Sequence, residues 1–320
     1  MPRHLRRPAL RLAALAAVLV LAHLGGFLFA AFAQRAQATS NPFFASTAGA
    51  PFQERYLAAV RALFFESGGA LPRPITQPLL PTLVQAAGAS GLLIALAFPL
   101  SIGIGVWLGR RASRINPPGI AAGLIAPGSL ALALPAFVVG AALIGGAIAL
   151  SLATDRAVLI PFSGFQTGWG LLLPVLALAI RPTFQLAQFT AGLLAAEAGK
   201  PYARAARSLG FDDQALRGRL LFRNILLPVL AQAGNLFRLI VAELVVVEWL
   251  FDWPGVGRLL ANALIPARLS NAAGETPLFL HAPLLAGLAV VFAALFFTFD
   301  TLAHFLARRV DPRVAAPPSP

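Results

Sequence analysis

The sequence predicts an all-α, polytopic membrane protein with about six spanning helices and both termini on the cytoplasmic side. Three observations predict it. Of the 320 residues, 58% are hydrophobic and 12% are charged, and mean hydropathy is +0.78. A soluble domain carries about 25% charged residues. The apolar residues also gather into runs long enough to cross about 30 Å of hydrocarbon. Finally, the basic residues are distributed unevenly. Sixteen fall before the first run, between the second and third, between the fourth and fifth, and after the last; seven lie in the other loops. Basic residues concentrate in cytoplasmic loops, so the uneven distribution sets the topology.

The net charge of +13 is therefore a membrane signal. The bases flank apolar spans and are not gathered on one domain, which argues against nucleic acid as a partner and for the lipid membrane. The absence of cysteine excludes disulfides, thiolate nucleophiles and Cys metal sites. No Gly-x-x-x-x-Gly-Lys-Ser/Thr, His-Glu-x-x-His or Gly-x-Ser-x-Gly pattern occurs. Nothing in the chain calls for a catalytic residue, a cofactor or a metal.

Arg3, Arg6, Arg7 and Arg11 precede an apolar run from Leu12 to Ala33. A basic start, an apolar run and Ala36-Gln37-Ala38 also fit a cleaved signal peptide. The run is longer than the usual apolar core of such a signal, about 7–15 residues, so a retained first helix is expected. Residues 1–33 form the cytoplasmic N-terminus and first span, and residues 34–78 an external segment. Within it, Tyr56, Val60 and Phe64 at spacings of four predict an amphipathic helix over Gln53–Phe65.

Leu79 to Leu108 is the second span, stopped by Arg110, Arg111 and Arg114, and Pro117-Pro118 closes a short cytoplasmic turn. Residues 119–152 hold the third span. Its Leu134-Pro135-Ala136-Phe137-Val138 step frees a backbone carbonyl, which suits either a packing kink or a helix beside a translocation path. Residues 153–168 are a short external loop, and Trp169 stands at the interface. The fourth span covers about residues 170–190 and contains Arg181-Pro182. Ile225 to Val247 is the fifth, with Arg238 and Glu243, which can pair with each other or with other helices. The sixth, Ala282 to Leu306, contains Asp300. Charges inside spans are costly and mark partners or water.

The longest polar, strongly basic segment is Glu197 to Pro228. Tyr202, Ala205, Ala206 and Leu209 fall at helical spacing and predict one small apolar face. Gly210 can take the left-handed conformation that ends a helix. Asp212 or Asp213 can cap the next helix, with Leu216 and Leu220 inward. A short helix, a sharp bend and a second helix result, suited to docking a soluble partner. After the fifth span, Pro254, Gly255 and Gly257 break the helix, and Trp249 and Trp253 mark the interface. Such a segment is allowed at membrane depth only where it lines protein or a cavity, so a re-entrant or external loop is expected.

These motifs resemble the ABC importer permeases of the dipeptide, oligopeptide and nickel type. The cytoplasmic EAA loop of those permeases runs roughly Tyr-x-Arg-x-Ala-Arg-x-x-Gly and then, about a dozen residues on, Arg-Asn-x-x-x-Pro. Tyr202, Arg204, Ala206, Arg207, Gly210, Arg223, Asn224 and Pro228 match it. Val245-Val246-Val247-Glu248, Phe251 and Pro254-Gly255-Val256-Gly257 resemble their second signature. Pro81-Thr82-Leu83, Leu173-Pro174 and Asp311-Pro312-Arg313 also fit. Gln188 and Ala191 depart from the pattern, where the family tends to carry arginines, and Pro266 to Ser270 departs from its usual Arg-Asp-x-Pro link.

The resemblance covers roughly residues 79–314 and implies a MetI-like permease fold with a coupling loop over 191–224, followed by a disordered tail at 315–320. It implies a second homologous permease, cytoplasmic ATPase subunits that hydrolyse ATP, and an extracytoplasmic binding protein delivering peptide, nickel or a related solute. Tyr202, Arg204, Ala206, Arg207 and Gly210 are then the coupling residues, and Glu248, Pro254, Gly255 and Gly257 shape an outer gate. The alternatives are an ion-gradient-driven transporter using Arg181, Arg238, Glu243 and Asp300 as a charge relay, or a membrane scaffold whose basic loop binds anionic lipid.

Overall fold

The computed structural model describes residues 3–40, 51–65, 79–154, 168–265 and 279–310. The expectations for the external loop over 155–167, the link at Pro266–Ser270, the Asp311-Pro312-Arg313 motif and the 315–320 tail lie outside the described residues. Among the described residues, six helices are long and apolar enough to cross a membrane: Leu12–Ser40, Leu79–Ala112, Ala136–Thr154, Gly168–Ala198, Asp213–Leu250 and Ala282–Ala303. The described residues are helical as the sequence predicts, apart from one two-stranded hairpin.

The chain divides into two compact units, Met1–Ser90 with Pro254–Thr298 and Gly91–Trp253 with Phe299–Pro320. The first contains α1 (Arg3–Ser40), α2 (Phe52–Phe65) and the start of α3 (Leu79–Ala112). It also contains α10 (Val256–Leu264) and most of α11 (Ala282–Val310). The helix of α1 continues through Ala36–Ala38. Phe27 is buried and meets Phe52 and Tyr56 edge-on, with centroids 5.5 and 5.3 Å away. Gln34 Nε2 donates to the Leu280 carbonyl at 2.8 Å. The amphipathic α2 forms where expected, but its buried side is Ala59 and Ala62, and Phe64 is exposed. Small side chains give the closest approach, and that decides which face turns inward.

The second unit is built round α6 (Leu172–Ala198). It packs against α4 (Ala122–Ala133), α5 (Ala136–Thr154), α9 (Phe222–Leu250) and the hairpin β1 (Ser113–Ile115) with β2 (Pro118–Ile120). Lipid tails are as apolar as leucine, so helices in a membrane gain mainly from close packing, which small residues allow. Gly109 of α3 shows this: a Cβ there would stand 2.6 Å from the Ala187 carbonyl oxygen of α6.

Three local features differ from the expectation. The third apolar stretch is two helices, because Leu134 precedes a proline and is extended at φ −92° and ψ 121°. With 12 residues α4 is too short to span, so α5 is the third span. The turn at Pro117-Pro118 is an antiparallel hairpin pairing Ser113 with Ile120 across a cis Asn116–Pro117 bond. The second helix of the 197–228 loop, expected as a separate element on the water side, runs straight into the fifth span. The three-residue α8 (Asp213–Ala215), a π turn over Leu216–Leu221 and α9 make one continuous helix, with Pro228 inside it. The π turn shifts the hydrogen-bond register, with Phe222 N–H donating to the Arg217 carbonyl.

Candidate functional site

The turn between α6 and the short helix α7 (Pro201–Ser208) is set by Gly199-Lys200-Pro201. Lys200 is extended at φ −73° and ψ 154°, as a residue before proline prefers, and Pro201 sits at the first helical position, where its missing N–H costs nothing. The far end of α7 closes as the sequence predicts. Gly210 takes φ +88°, its N–H donates to the Arg207 carbonyl at 2.9 Å, and the Phe211 N–H donates to the Ala206 carbonyl at 3.2 Å. That is the Schellman pattern. A Cβ at Gly210 would meet nothing within 4 Å, so glycine serves the backbone angle and not a tight space. Asp212, not Asp213, caps the next helix and accepts from the Ala215 N–H at 2.6 Å.

The inner face of α7 is Ala203 and Ala206, both buried, with Tyr202 packed beside them. The predicted single face of Tyr202, Ala205, Ala206 and Leu209 is therefore corrected. Ala205 is exposed, and Leu209 is 79% exposed next to exposed Arg204, Ser208 and Phe211. Ala203 and Ala206, three residues apart, let the helix lie close on its platform. That platform is one apolar cluster containing Ile115 of the hairpin, Leu194 and Ala198 of α6, Leu216 and Leu221 of the π turn, and Ile225 of α9. Leu216 turns inward as expected, and Leu220 packs against the same cluster.

Polar contacts pin α7 to three neighbours. Arg207 donates to the carbonyls of Ala198 at 2.9 Å and Ile115 at 3.3 Å, so it braces the helix to α6 and the hairpin. Tyr202 donates its hydroxyl hydrogen to Glu197, and Asn224 Nδ2 donates to the Tyr202 oxygen at 3.0 Å. Lys200 pairs with Glu197 at 2.5 Å. Burial first, and then the bond to Glu197, raise the Tyr202 phenol above its ordinary range, so it stays a neutral donor. Arg204 is exposed on the outer side.

In the second unit, Glu248 is fully buried in the last turn of α9, and its carbonyl accepts from Trp253 N–H at 2.8 Å. The helix ends at Leu250, and Asp252 takes φ +53°. Trp249 is exposed, but Trp253 is 1% exposed and is a packed side chain, not an interfacial anchor. In the first unit, Pro254 is exposed and buried Gly255 is the extended residue that opens α10. Gly257 lies inside α10 and does not break a helix; the break is Phe251–Gly255. Val256 N–H donates to Ser90 Oγ at 2.8 Å.

A family model described as the binding-protein-dependent transport system inner membrane component matches residues 97–316. The chain belongs to this family. It is a transmembrane permease subunit of an ABC importer, and the membrane location follows from the family and the six spans. The permease is similar to a protein of Brucella abortus named as a peptide transport system permease, 28% identical over 245 residues that cover 75% of this chain and 73% of the relative. It is similar to a dipeptide transport system permease of Lactococcus lactis, 24% identical over 265 residues that cover 82% and 81%. A glutathione transport system permease of Salmonella paratyphi A is 26% identical over 216 residues that cover 66% and 65%.

The four charged residues Arg181, Arg238, Glu243 and Asp300, expected within the spans, form two ion pairs. Arg181 of α6 meets Glu243 of α9 at 2.5 Å, and Arg238 of α9 meets Asp300 of α11 at 3.5 Å. Arg238 and Glu243 thus pair with other helices and not with each other. Glu197 and Ala203 are participants that sequence reasoning left out of the site. Glu197 lies five residues before Tyr202 across a non-helical turn, so no periodicity could link them. Asn224 was visible as a motif match, but not as a ligand of Tyr202.

Proposed function

We propose that this permease admits peptides or a closely related solute, and that α7 with the Gly210 turn is where a cytoplasmic ATPase grips it. The observation that carries the reading is the mounting of α7. Its inner face and Arg207 fix it to α6, α9 and the hairpin, while Arg204, Ser208, Leu209 and Phe211 remain exposed. A push on that outer surface passes to two spanning helices as a rigid-body shift.

Topology supports the same reading. The hairpin joins the second and third spans and α7 joins the fourth and fifth, yet Ile115 shares a core with Ala203 and Ala206. That shared core supports placing both connections on one side, the side the basic residues favour as cytoplasmic. Residues 79–314 then form the permease domain and both termini face the cytoplasm. Tyr202, Ala206 and Arg207 set the position of the coupling helix, Gly210 its exit, and Arg204 its contact surface. Glu248, Pro254, Gly255 and Gly257 shape the outer end. The names of the relatives support a peptide class of solute. A second permease, ATPase subunits that hydrolyse ATP and an external binding protein complete the importer.

The test is uptake of a radiolabelled tripeptide by the whole complex in proteoliposomes. ATP-dependent uptake that survives a protonophore is the expected result. Uptake that ignores ATP and collapses with the proton gradient would overturn the reading and restore the ion-driven alternative.

A further inference from the structure

The outward side of α9 carries a row that lipid does not favour. Ala231, Asn235, Arg238, Ala242, Val246 and Trp249 are all exposed, at spacings of three and four, and so form one face. Its centre is polar. Asn235 Nδ2 donates to Gln232 Oε1 at 3.2 Å, Arg238 donates to Asn235 Oδ1 at 3.4 Å, and Arg238 pairs with Asp300 at 3.5 Å. At about 1.5 Å per residue, Arg238 lies roughly 24 Å along α9 from Phe222 and roughly 18 Å from Leu250, near the helix midpoint. A charged side chain at that depth turns toward water or protein.

The two ion pairs differ in character. Arg181–Glu243 is short, with side chains 31% and 12% exposed. Arg238–Asp300 is long, with side chains 58% and 53% exposed. The first has the geometry of a structural brace between α6 and α9. The second presents a cation, a carboxylate and an amide side by side on an open face. Interfaces between protein chains are depleted of charge at their centres, whereas a polar solute passing through needs replacement partners for its water.

We propose that this face, Asn235 and Arg238 of α9 with Asp300 of α11, lines the path of the transported solute and takes the charged ends of a zwitterionic peptide. Arg238 receives the carboxylate, Asp300 the ammonium group and Asn235 the peptide amides. The inference rests on the peptide-importer reading for its ligand, but not for the aqueous character of the face. Neither the coupling helix nor the Glu248–Gly257 segment includes these residues.

The natural chain has no cysteine, which makes the test direct. Asn235→Cys, Arg238→Cys and Ala242→Cys permeases, each in the whole complex in proteoliposomes, are exposed to a charged, membrane-impermeant methanethiosulfonate with and without ATP. Ile148→Cys on the apolar outer side of α5 is the reference. The expected result is labelling at the three α9 positions about tenfold or more faster than at the reference, because a thiolate forms in water and not in hydrocarbon. Trialanine should slow labelling of Ala242→Cys, which keeps all three proposed contacts, and N-acetylated, C-amidated trialanine should not. Arg238→Gln should raise the KM for trialanine roughly tenfold and leave that for the blocked peptide unchanged.

Labelling no faster than the reference in every nucleotide state would overturn the proposal, assigning the face to lipid or to the second permease. Ala242→Cys labelling that trialanine leaves untouched, in a variant complex that transports trialanine, would overturn the ligand assignment. A wild-type complex that does not move trialanine would instead count against the peptide-importer reading, while labelling would still decide whether the face is aqueous.

Discussion

Replacing Gly210 isolates the geometry of the coupling element from its packing. The residue holds φ +88° and its missing Cβ faces open space. A Gly210→Ala substitution therefore produces no clash. Its cost is conformational, about 1–2 kcal/mol for an L-residue held in the left-handed region. At 1.4 kcal/mol per factor of ten, the formed turn becomes roughly 5- to 30-fold less favoured. What competes against that cost is the pair of capping bonds from Gly210 and Phe211, worth about 1 kcal/mol each net. The turn in the Ala variant is thus partly open, and a Gly210→Val variant, with a branched side chain, is further open. Asn tolerates the left-handed region, so Gly210→Asn should recover most of the loss.

The assay is substrate-stimulated ATP hydrolysis and ATP-driven uptake by the reconstituted complex, beside a thermal unfolding curve. Uptake should fall in the order Gly, Asn, Ala, Val, and Gly210→Leu should abolish coupling, while the unfolding temperature of the spans changes little. Wild-type uptake by the Val and Leu variants would refute the reasoning, since no other property of this position is available to preserve it.

Other predictions follow from the same contacts. Arg207→Met removes two charged hydrogen bonds to carbonyls, so α7 should become protease-sensitive in the folded permease while the spans remain intact. Tyr202→Phe removes the hydroxyl shared by Glu197 and Asn224 and should lower stability by about 1–2 kcal/mol, read as a shift in the unfolding midpoint. The Tyr202 phenol is raised, so its contribution is fully present below the ordinary tyrosine range and is lost only as pH rises through the raised value. The difference between wild type and Tyr202→Phe should stay constant from pH 6 to 9, as a pH series of unfolding curves would read, and narrow above about 10. Arg181→Leu leaves Glu243 as a mostly buried, unpaired charge and should cost about 3–5 kcal/mol, whereas Arg181→Leu with Glu243→Leu should recover most of it. Gly109→Leu forces a side chain against the Ala187 carbonyl and should abolish folded yield in size-exclusion chromatography.

The six spans, the left-handed Gly210, the aspartate cap and the amphipathic α2 were all legible because each is local. Hydropathy, one backbone angle or one three-residue spacing fixes each of them. What the sequence concealed depends on partners distant along the chain. The inward face of α7 is chosen by how closely Ala203 and Ala206 can approach Ile115, 88 and 91 positions away. Arg207 stood out as a coupling residue through its motif, but its reach to the Ala198 and Ile115 carbonyls, which makes it a brace, depends on chain neighbours that no local spacing reveals. Glu197 joins Tyr202 only because Gly199-Lys200-Pro201 folds the chain back. The proline step at Pro135 was visible, but whether it kinks or divides the helix depended on Leu134 becoming extended. Arg181 and Arg238 are alike in sequence, and only their neighbours separate a half-buried brace from an open pair.

The central claim is that α7 holds this permease to an ATPase. Affinity purification of the tagged chain in mild detergent, with co-purifying proteins identified by mass spectrometry, tests it most directly when run beside a chain carrying Arg204→Glu and Leu209→Asp on the exposed side of α7. The account predicts a Walker-motif ATPase and a second permease with the wild type, and a folded variant that keeps the second permease but loses the ATPase. Equal recovery of the ATPase with the variant, or a wild-type chain that stays alone while still transporting, would contradict it.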